Sequence, residues 1–309
     1  MRLIYTVTMN PCLDYVVELE QVKLGRTNRA KDTNIRVGGK GINVSLMLNQ
    51  LNVENKATGF VAGFTGNEIT AQLNREGIVA EFLTVSGLSR INVKLWAKEE
   101  TEVNGTGPMV ADSDVRRLFR VLEKAEKQDI LVLSGSIPAT LPMNIYGEIA
   151  CWAEQKRIPL VVDATGGLLR DCLPYHPFLI KPNLQELEEL FGQPLESDED
   201  VLRAADGLRE AGAQNVLVSM GAGGALLVTK DAVYGAQAPQ GKVIGTVGAG
   251  DSMVAGFLSE FSKKLDLCKA LSMGVAAGSA TAFSPGLGCR SLVMRLAADI
   301  QPFTVTRKS

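Results

Sequence analysis

The sequence predicts an α/β fold, with a largely parallel central sheet covered on both faces and a small second sheet attached. Three observations carry this. Short apolar runs rich in β-branched residues alternate with amphipathic stretches of helical length. Two other segments, 14–35 and 90–103, alternate polar and apolar residues at period two, as in Val93, Leu95 and Ala97. The 309 residues leave room for two small domains or one large one at about 150 residues each, and no repeat, low-complexity tract or long linker divides them. One large domain with a small β appendage is the expected organisation.

In chain order, buried strands are expected at 3–7, 57–61, 130–133, 160–162, 178–180, 216–219 and 225–228. Helices are expected at 113–127, 143–155, 198–211 and 249–263, where apolar residues recur at helical spacing. The period-two segments read as half-exposed antiparallel strands. In an open parallel sheet the ligand site lies beyond the carboxyl ends of the strands. Asn10, Asp14, Asp163 and the stretches 134–138, 181–183 and 220–224 follow such ends, so they are where chemistry is expected.

Composition narrows that chemistry. A hydrophobic content of 46% with 21% charged residues is globular, neither disordered nor fibrous. Lysine and arginine total 32 against 34 acidic residues, a formal charge of −2. The chain therefore has no general attraction for nucleic acid or an anionic membrane, and any anion site must be local. The one histidine, His176, lies between prolines and away from every glycine motif. Multi-histidine metal sites are excluded, and a Ser-His-Asp triad would have to use that residue. Cys12, Cys151, Cys172, Cys268 and Cys289 are scattered without a C-x-x-C pair, as suits reduced thiols in a cytoplasmic protein. Asn10-Pro11 interrupts the N-terminal apolar stretch before a signal-peptide core forms, and no run of 18 apolar residues offers a membrane span. Carboxylates, glycines and a few cations remain.

The strongest motif is Gly245-Thr246-Val247-Gly248-Ala249-Gly250-Asp251-Ser252, running into an apolar-periodic helix. Small residues admit a ligand close to the backbone, and the helix start offers free N–H groups to an anion. An Asp in that first turn can take the proton of a hydroxyl attacking phosphorus. Taken alone, the segment equally fits a glycine turn with an acidic cap. A second glycine cluster, Arg36-Val37-Gly38-Gly39-Lys40-Gly41-Ile42-Asn43, opens another helix, and it is not a Walker A loop. Lys181-Pro182-Asn183-Leu184-Gln185-Glu186 places two oxygens three residues apart, as ligands for Mg²⁺ or as an N-capping box. The 219–224 stretch fits a hairpin turn or a close approach to a nucleotide phosphate. Asn10-Pro11-Cys12-Leu13-Asp14 is turn chemistry that also presents a carboxylate.

The N-P-x-x-D turn, the G-G-K-G-I-N-V loop, K-P-N-x-x-E and G-T-V-G-A-G-D-S occur together in an order and spacing that resembles the ribokinase-like sugar kinases of the phosphofructokinase-B family, from Leu3 to about Phe283. The resemblance implies a three-layer α/β/α domain spanning 1–309, with a small β-sheet lid at about 12–36 and 88–108 and a homodimer formed through that lid. It implies ATP and Mg²⁺ as cofactors and Asp251 as general base, with Gly248, Ala249 and Gly250 forming an anion hole. Asn183 and Glu186 would organise Mg²⁺, while Lys181, Asn183, Ser219, Gly221 and Gly224 line the ATP side. Asp14, Gly38, Gly39, Lys40, Asn43 and Ser136 would hold the sugar and Arg90 its phosphate, with Arg26 and Arg29 reaching that phosphate from the lid. The implied acceptor is the free primary hydroxyl of a ketohexose phosphate. The 90–95 and 101–108 segments favour fructose 1-phosphate, with tagatose 6-phosphate as the alternative. A non-catalytic sugar or nucleotide sensor is the reading from another class, and Asp251 counts against it.

Overall fold

The computed structural model describes residues 2–306. The chain runs β1 (Ile4–Thr8), β2 (Cys12–Glu18), β3 (Asp32–Gly38), α1 (Lys40–Gln50), β4 (Asn55–Ala62), α2 (Gly63–Arg75), β5 (Val79–Val85), β6 (Arg90–Trp96) and β7 (Thr101–Val103). It continues through α3 (Asp112–Leu122), β8 (Ile130–Ser134), α4 (Ile145–Lys156), β9 (Leu160–Asp163), α5 (Gly166–Arg170), β10 (Leu179–Ile180), α6 (Leu184–Phe191) and α7 (Asp198–Glu210). It ends with β11 (Val216–Ser219), β12 (Ala225–Val228), β13 (Val233–Ala236), α8 (Ala249–Lys264), α9 (Leu267–Ala282), α10 (Arg290–Asp299) and β14 (Phe303–Thr304).

The main sheet has the order β14-β13-β12-β11-β10-β9-β8-β1-β4-β5. It is parallel from β5 to β11 and antiparallel beyond. Alternate residues of its central strands feed two cores. Tyr5, Val7, Leu131 and Leu133 face the α3–α7 side, and Ile4, Ile130, Val132 and Val161 face α1, α8 and α9. A strand buried on both faces reads as a continuous apolar run, which is why these strands were legible from sequence. The expected largely parallel sheet, covered on both faces, is what the chain forms.

Three strands escape that reading. β5 is a half-exposed strand carrying Glu81, and β13 and β14 lie at the far antiparallel edge; none is an uninterrupted apolar run. The second sheet has the order β3-β2-β6-β7, and the expectation that it is antiparallel holds only in part. β2 pairs with β3 and β6 with β7 antiparallel, but β2 and β6 run parallel. The chain between these two passes through α1, β4, α2 and β5, and a long crossover returns in the same direction whereas a hairpin reverses.

Gly59 sits in the middle of β4 at φ +136°, where a Cβ would overlap the Thr8 carbonyl of the neighbouring strand. Backbone stands there on both sides, so nothing can yield. Gly59→Ala is expected to cost more than about 2 kcal/mol, read as a lowered midpoint in urea denaturation.

Candidate active site

Functional groups converge where β1, β8, β9 and β10 end and α1 and α8 begin. Asp163 closes β9 with no solvent exposure. Its Oδ1 lies 3.1 Å from the Lys40 Nζ and 3.4 Å from the Lys181 Nζ. Burial would raise this carboxyl, but the Lys181 and Lys40 ammoniums hold it below the usual carboxylate range. Burial would likewise lower Lys40, yet Asp163, then Asp251 and Glu186, keep it above the ordinary lysine value. Lys181, predicted on the nucleotide side, is buried against the α8 start: a Cβ added at Gly250 would stand 3.1 Å from its Nζ.

Asp251 occupies the first turn of α8 and is 6% exposed. Asn43, on the first turn of α1, donates its Nδ2 to Asp251 Oδ2 at 2.7 Å. Burial, and then the charge of Asp163, push the Asp251 carboxyl up to about 7, against the opposing pull of Asn43, Lys40 and Lys181. A carboxylate poised near neutrality is suited to accept a proton. The turn before it is held by Gly248 at φ +80°, where a Cβ would press on Leu287 at 2.9 Å. The three N–H groups expected to form an anion hole, those of Gly248, Ala249 and Gly250, stand at this turn. The Ala249 N–H donates to the Thr246 carbonyl at 3.1 Å, while the N–H groups of Gly248 and Gly250 have no acceptor among the described residues.

The capping box at Asn183 and Glu186 is formed. Asn183 Oδ1 accepts from the Glu186 N–H at 2.7 Å, and Glu186 Oε2 accepts from the Asn183 N–H at 2.9 Å. Glu186 Oε1 remains, 3.7 Å from the Lys40 Nζ. Among the described residues, no group of three or more His, Cys, Asp or Glu side chains is set to hold a metal ion. The buried Asp163 Oδ2, which has no hydrogen-bond partner among the described residues, and the remaining Glu186 oxygen fit Mg²⁺ held through water and substrate oxygens rather than by an all-protein cage.

The sugar-side candidates divide between two cavities. One of about 290 Å³ is lined by Gly39, Lys40, Arg90 and Ser136. Arg90 is steadied by donating its Nε to the Asn10 carbonyl at 3.0 Å. Asp14 and Asn43 line a larger cleft of about 1210 Å³, together with Arg36, Lys94, Thr246 and Leu287. Gly38 lets the Asp14 carboxylate approach, since a Cβ there would come within 2.6 Å of its Oδ2. Asn92 Nδ2 and the Cys12 thiol both donate to Asp14 Oδ1, at 2.9 and 3.3 Å, and the Lys94 Nζ lies 3.5 Å from its Oδ2. Burial keeps the Cys12 thiol protonated, with its pKa far above the ordinary value.

Ser219 lies beside Asn183 through a β-bridge, and 221–223 form a short 3₁₀ turn between β11 and β12, so the segment is more than a plain hairpin. Gly224 is pressed against the 236–238 backbone. Arg26 and Arg29 are not brought to the site: both are exposed on the loop between β2 and β3. His176 is exposed and lies away from the site. Sequence reasoning missed Lys94 and Asn92 and gave Asp163 no role. The alternation in β6 showed one polar face and one apolar face, but not that the polar face is the buried one.

The model of the pfkB family carbohydrate kinases matches residues 7–291. The chain is 45% identical to the 1-phosphofructokinase of Bacillus subtilis, over 97% of this chain and 99% of that one. It is 37% identical to the D-tagatose-1-phosphate kinase of Bacillus licheniformis, with the same coverage. The structure superposes on Escherichia coli phosphofructokinase-2 in complex with substrates and products at a TM-score of 0.91, with 29% identity over 96% of this chain and 99% of that one.

Proposed function

The chain belongs to the pfkB family of carbohydrate kinases, and on that premise we propose that it transfers the γ-phosphoryl group of ATP to fructose 1-phosphate, giving fructose 1,6-bisphosphate. The observation that carries the chemistry is the buried Asp251 at the glycine-rich start of α8, raised to about 7 and oriented by Asn43. In this reading Asp251 removes the proton of the free primary hydroxyl as that oxygen attacks phosphorus. The free N–H groups of Gly248 and Gly250 and the helix dipole stabilise charge on the transferring group. Gly38, Gly39, Asp14 and Asn43 hold the sugar hydroxyls, while Lys40, Arg90 and Ser136 hold the phosphate the sugar already carries. Ser219, Gly221 and Gly224 line the nucleotide side. Asp163, Asn183 and Glu186 are the residues that would hold Mg²⁺, which when bound neutralises phosphate charge.

The chain is read as one kinase domain whose second sheet is a lid over the site, working in the cytoplasm; no described helix is long and apolar enough to cross a membrane. The lid also supports a homodimer. Tyr15, Ile35, Val93 and Val103 are register partners on one face, with Ile35 53% and Val103 59% exposed. A second copy of the same sheet would cover this apolar face and bring Arg26 and Arg29 toward a neighbouring site.

Initial rates with MgATP on fructose 1-phosphate, tagatose 1-phosphate, tagatose 6-phosphate and fructose 6-phosphate test the substrate. Fructose 1-phosphate should give the highest kcat/KM, and a large preference for another sugar phosphate overturns the assignment. The D-tagatose-1-phosphate kinase among the relatives favours tagatose 1-phosphate as the second reading, ahead of tagatose 6-phosphate, because it carries its phosphate at the same end as fructose 1-phosphate.

The pH dependence has a definite sign. Asp251 works as the carboxylate, and its folded value lies at about 7. kcat/KM for the sugar phosphate should therefore be level above that pH and fall about tenfold per unit below it. A profile flat down to pH 5 would remove Asp251 from the role.

A further inference from the structure

Three neighbouring strands end in a row of unpaired polar atoms. Thr8 closes β1, Ser134 closes β8 and Asp163 closes β9, and the strand registers set Thr8 beside Ser134 and Ser134 beside Asp163 on one face of the sheet. Thr8 is 2% exposed and the other two are fully buried. Thr8 Oγ1, Ser134 Oγ and Asp163 Oδ2 have no hydrogen-bond partner among the described residues. The other hydroxyls in this condition, Ser262 and Ser272, lie apart from the site on α8 and α9. Buried hydroxyls are nearly always paired, and a cluster of unpaired ones at a cavity wall marks a place where a ligand supplies the partner.

Thr8 and Ser134 line the same cavity of about 290 Å³ as Lys40 and Arg90. Two cations line this cavity and two unpaired O–H groups are buried at its edge, together a set of donors for a tetrahedral anion. Asp163 lies next in the row; its Oδ1 is paired with the Lys40 and Lys181 ammoniums, which offset its charge. Asn10 also borders the cavity; its Nδ2 donates to the Thr106 carbonyl at 3.4 Å, and its Oδ1, an acceptor, has no hydrogen-bond partner among the described residues.

We propose that Thr8 and Ser134 are specificity-determining residues whose hydroxyls donate to the phosphate the sugar substrate already carries. This rests on the kinase reading above and adds two donors to Lys40 and Arg90. The cations attract any anion by charge alone. The hydroxyls demand an oxygen at two fixed points at the strand ends, which a phosphate supplies and a free sugar hydroxymethyl group does not.

The test uses Thr8→Val, which keeps shape and removes the hydroxyl, Ser134→Ala, and Thr8→Ser as the conservative control. KM for the sugar phosphate, KM for ATP and kcat are measured with whichever sugar phosphate the wild-type protein prefers. A wrong substrate assignment thus leaves this experiment intact. Thr8→Val and Ser134→Ala should each raise KM for the sugar phosphate by about tenfold or more, the loss of one hydrogen bond to a charged acceptor. KM for ATP and kcat should stay within about twofold, and Thr8→Ser should restore the wild-type KM. An unchanged KM for the sugar phosphate overturns the proposal. So does a fall that affects both substrates and kcat alike, because that is the mark of a merely structural role.

Discussion

Asp251→Asn should turn over about 10²–10⁴-fold more slowly than the wild type while binding the sugar phosphate with unchanged affinity. The amide keeps the shape of the carboxyl and its oxygen can still accept from Asn43 Nδ2, but it cannot take up the proton of the attacking hydroxyl. The substitution also removes one of two buried carboxylates that raise each other's cost, since the charge of Asp163 is the second cause of the upward shift at Asp251. The variant should therefore melt no lower than the wild type, an activity loss without a stability loss. Initial rates, calorimetric titration with the sugar phosphate and thermal unfolding read the three quantities. Near-normal turnover would exclude Asp251 as the base, and lost sugar binding would assign it to the pocket instead.

Lys40→Met and Arg90→Met should both raise KM for the sugar phosphate by about tenfold to a hundredfold, as expected when a charged hydrogen-bonding partner is lost, with little change in KM for ATP. The two should differ in their pH profiles. Lys40 sits between Asp163 and Glu186 and helps hold Asp251 down. Without it the Asp251 value rises further and the acid limb of kcat/KM moves to higher pH. Arg90 bonds the Asn10 carbonyl and is not among the charges that set Asp251, so its variant should keep the wild-type limb. Equal effects on ATP and sugar would place these cations elsewhere, and identical pH profiles would contradict the coupling of Lys40 to the carboxylates.

Much of the site is legible in the sequence because its parts are local. The 245–252 segment declares a glycine turn, a helix start and an acid within eight consecutive residues, and the spacing of Asn183 and Glu186 offers a cap or a pair of Mg²⁺ ligands. The oxygens that the cap consumes were not legible. Only the closed hydrogen bonds show that each residue spends one oxygen on the backbone, and that the oxygen left on Glu186 turns to Lys40. Lys94 shows the same limit. Its place in a period-two strand reads as surface, yet it is buried between Asp14 and Glu102, because the polar face of the second sheet looks onto the cleft and its apolar face looks outward.

Alternation, continuous apolar strands and glycine-opened helices are properties of neighbouring residues, and they determined the α/β class, the largely parallel sheet and the end of it at which chemistry would lie. Charge and histidine counts confined that chemistry to carboxylates, backbone donors and a few cations. The pairing of β2 with β6, the meeting of Lys40 and Lys181 on Asp163, the contact of Asn43 with Asp251, and the row formed by Thr8, Ser134 and Asp163 were decided by the tertiary structure alone. Each joins segments tens to hundreds of residues apart, and the forces that set their pKa values and leave their hydroxyls unpaired arise only when those segments are buried together.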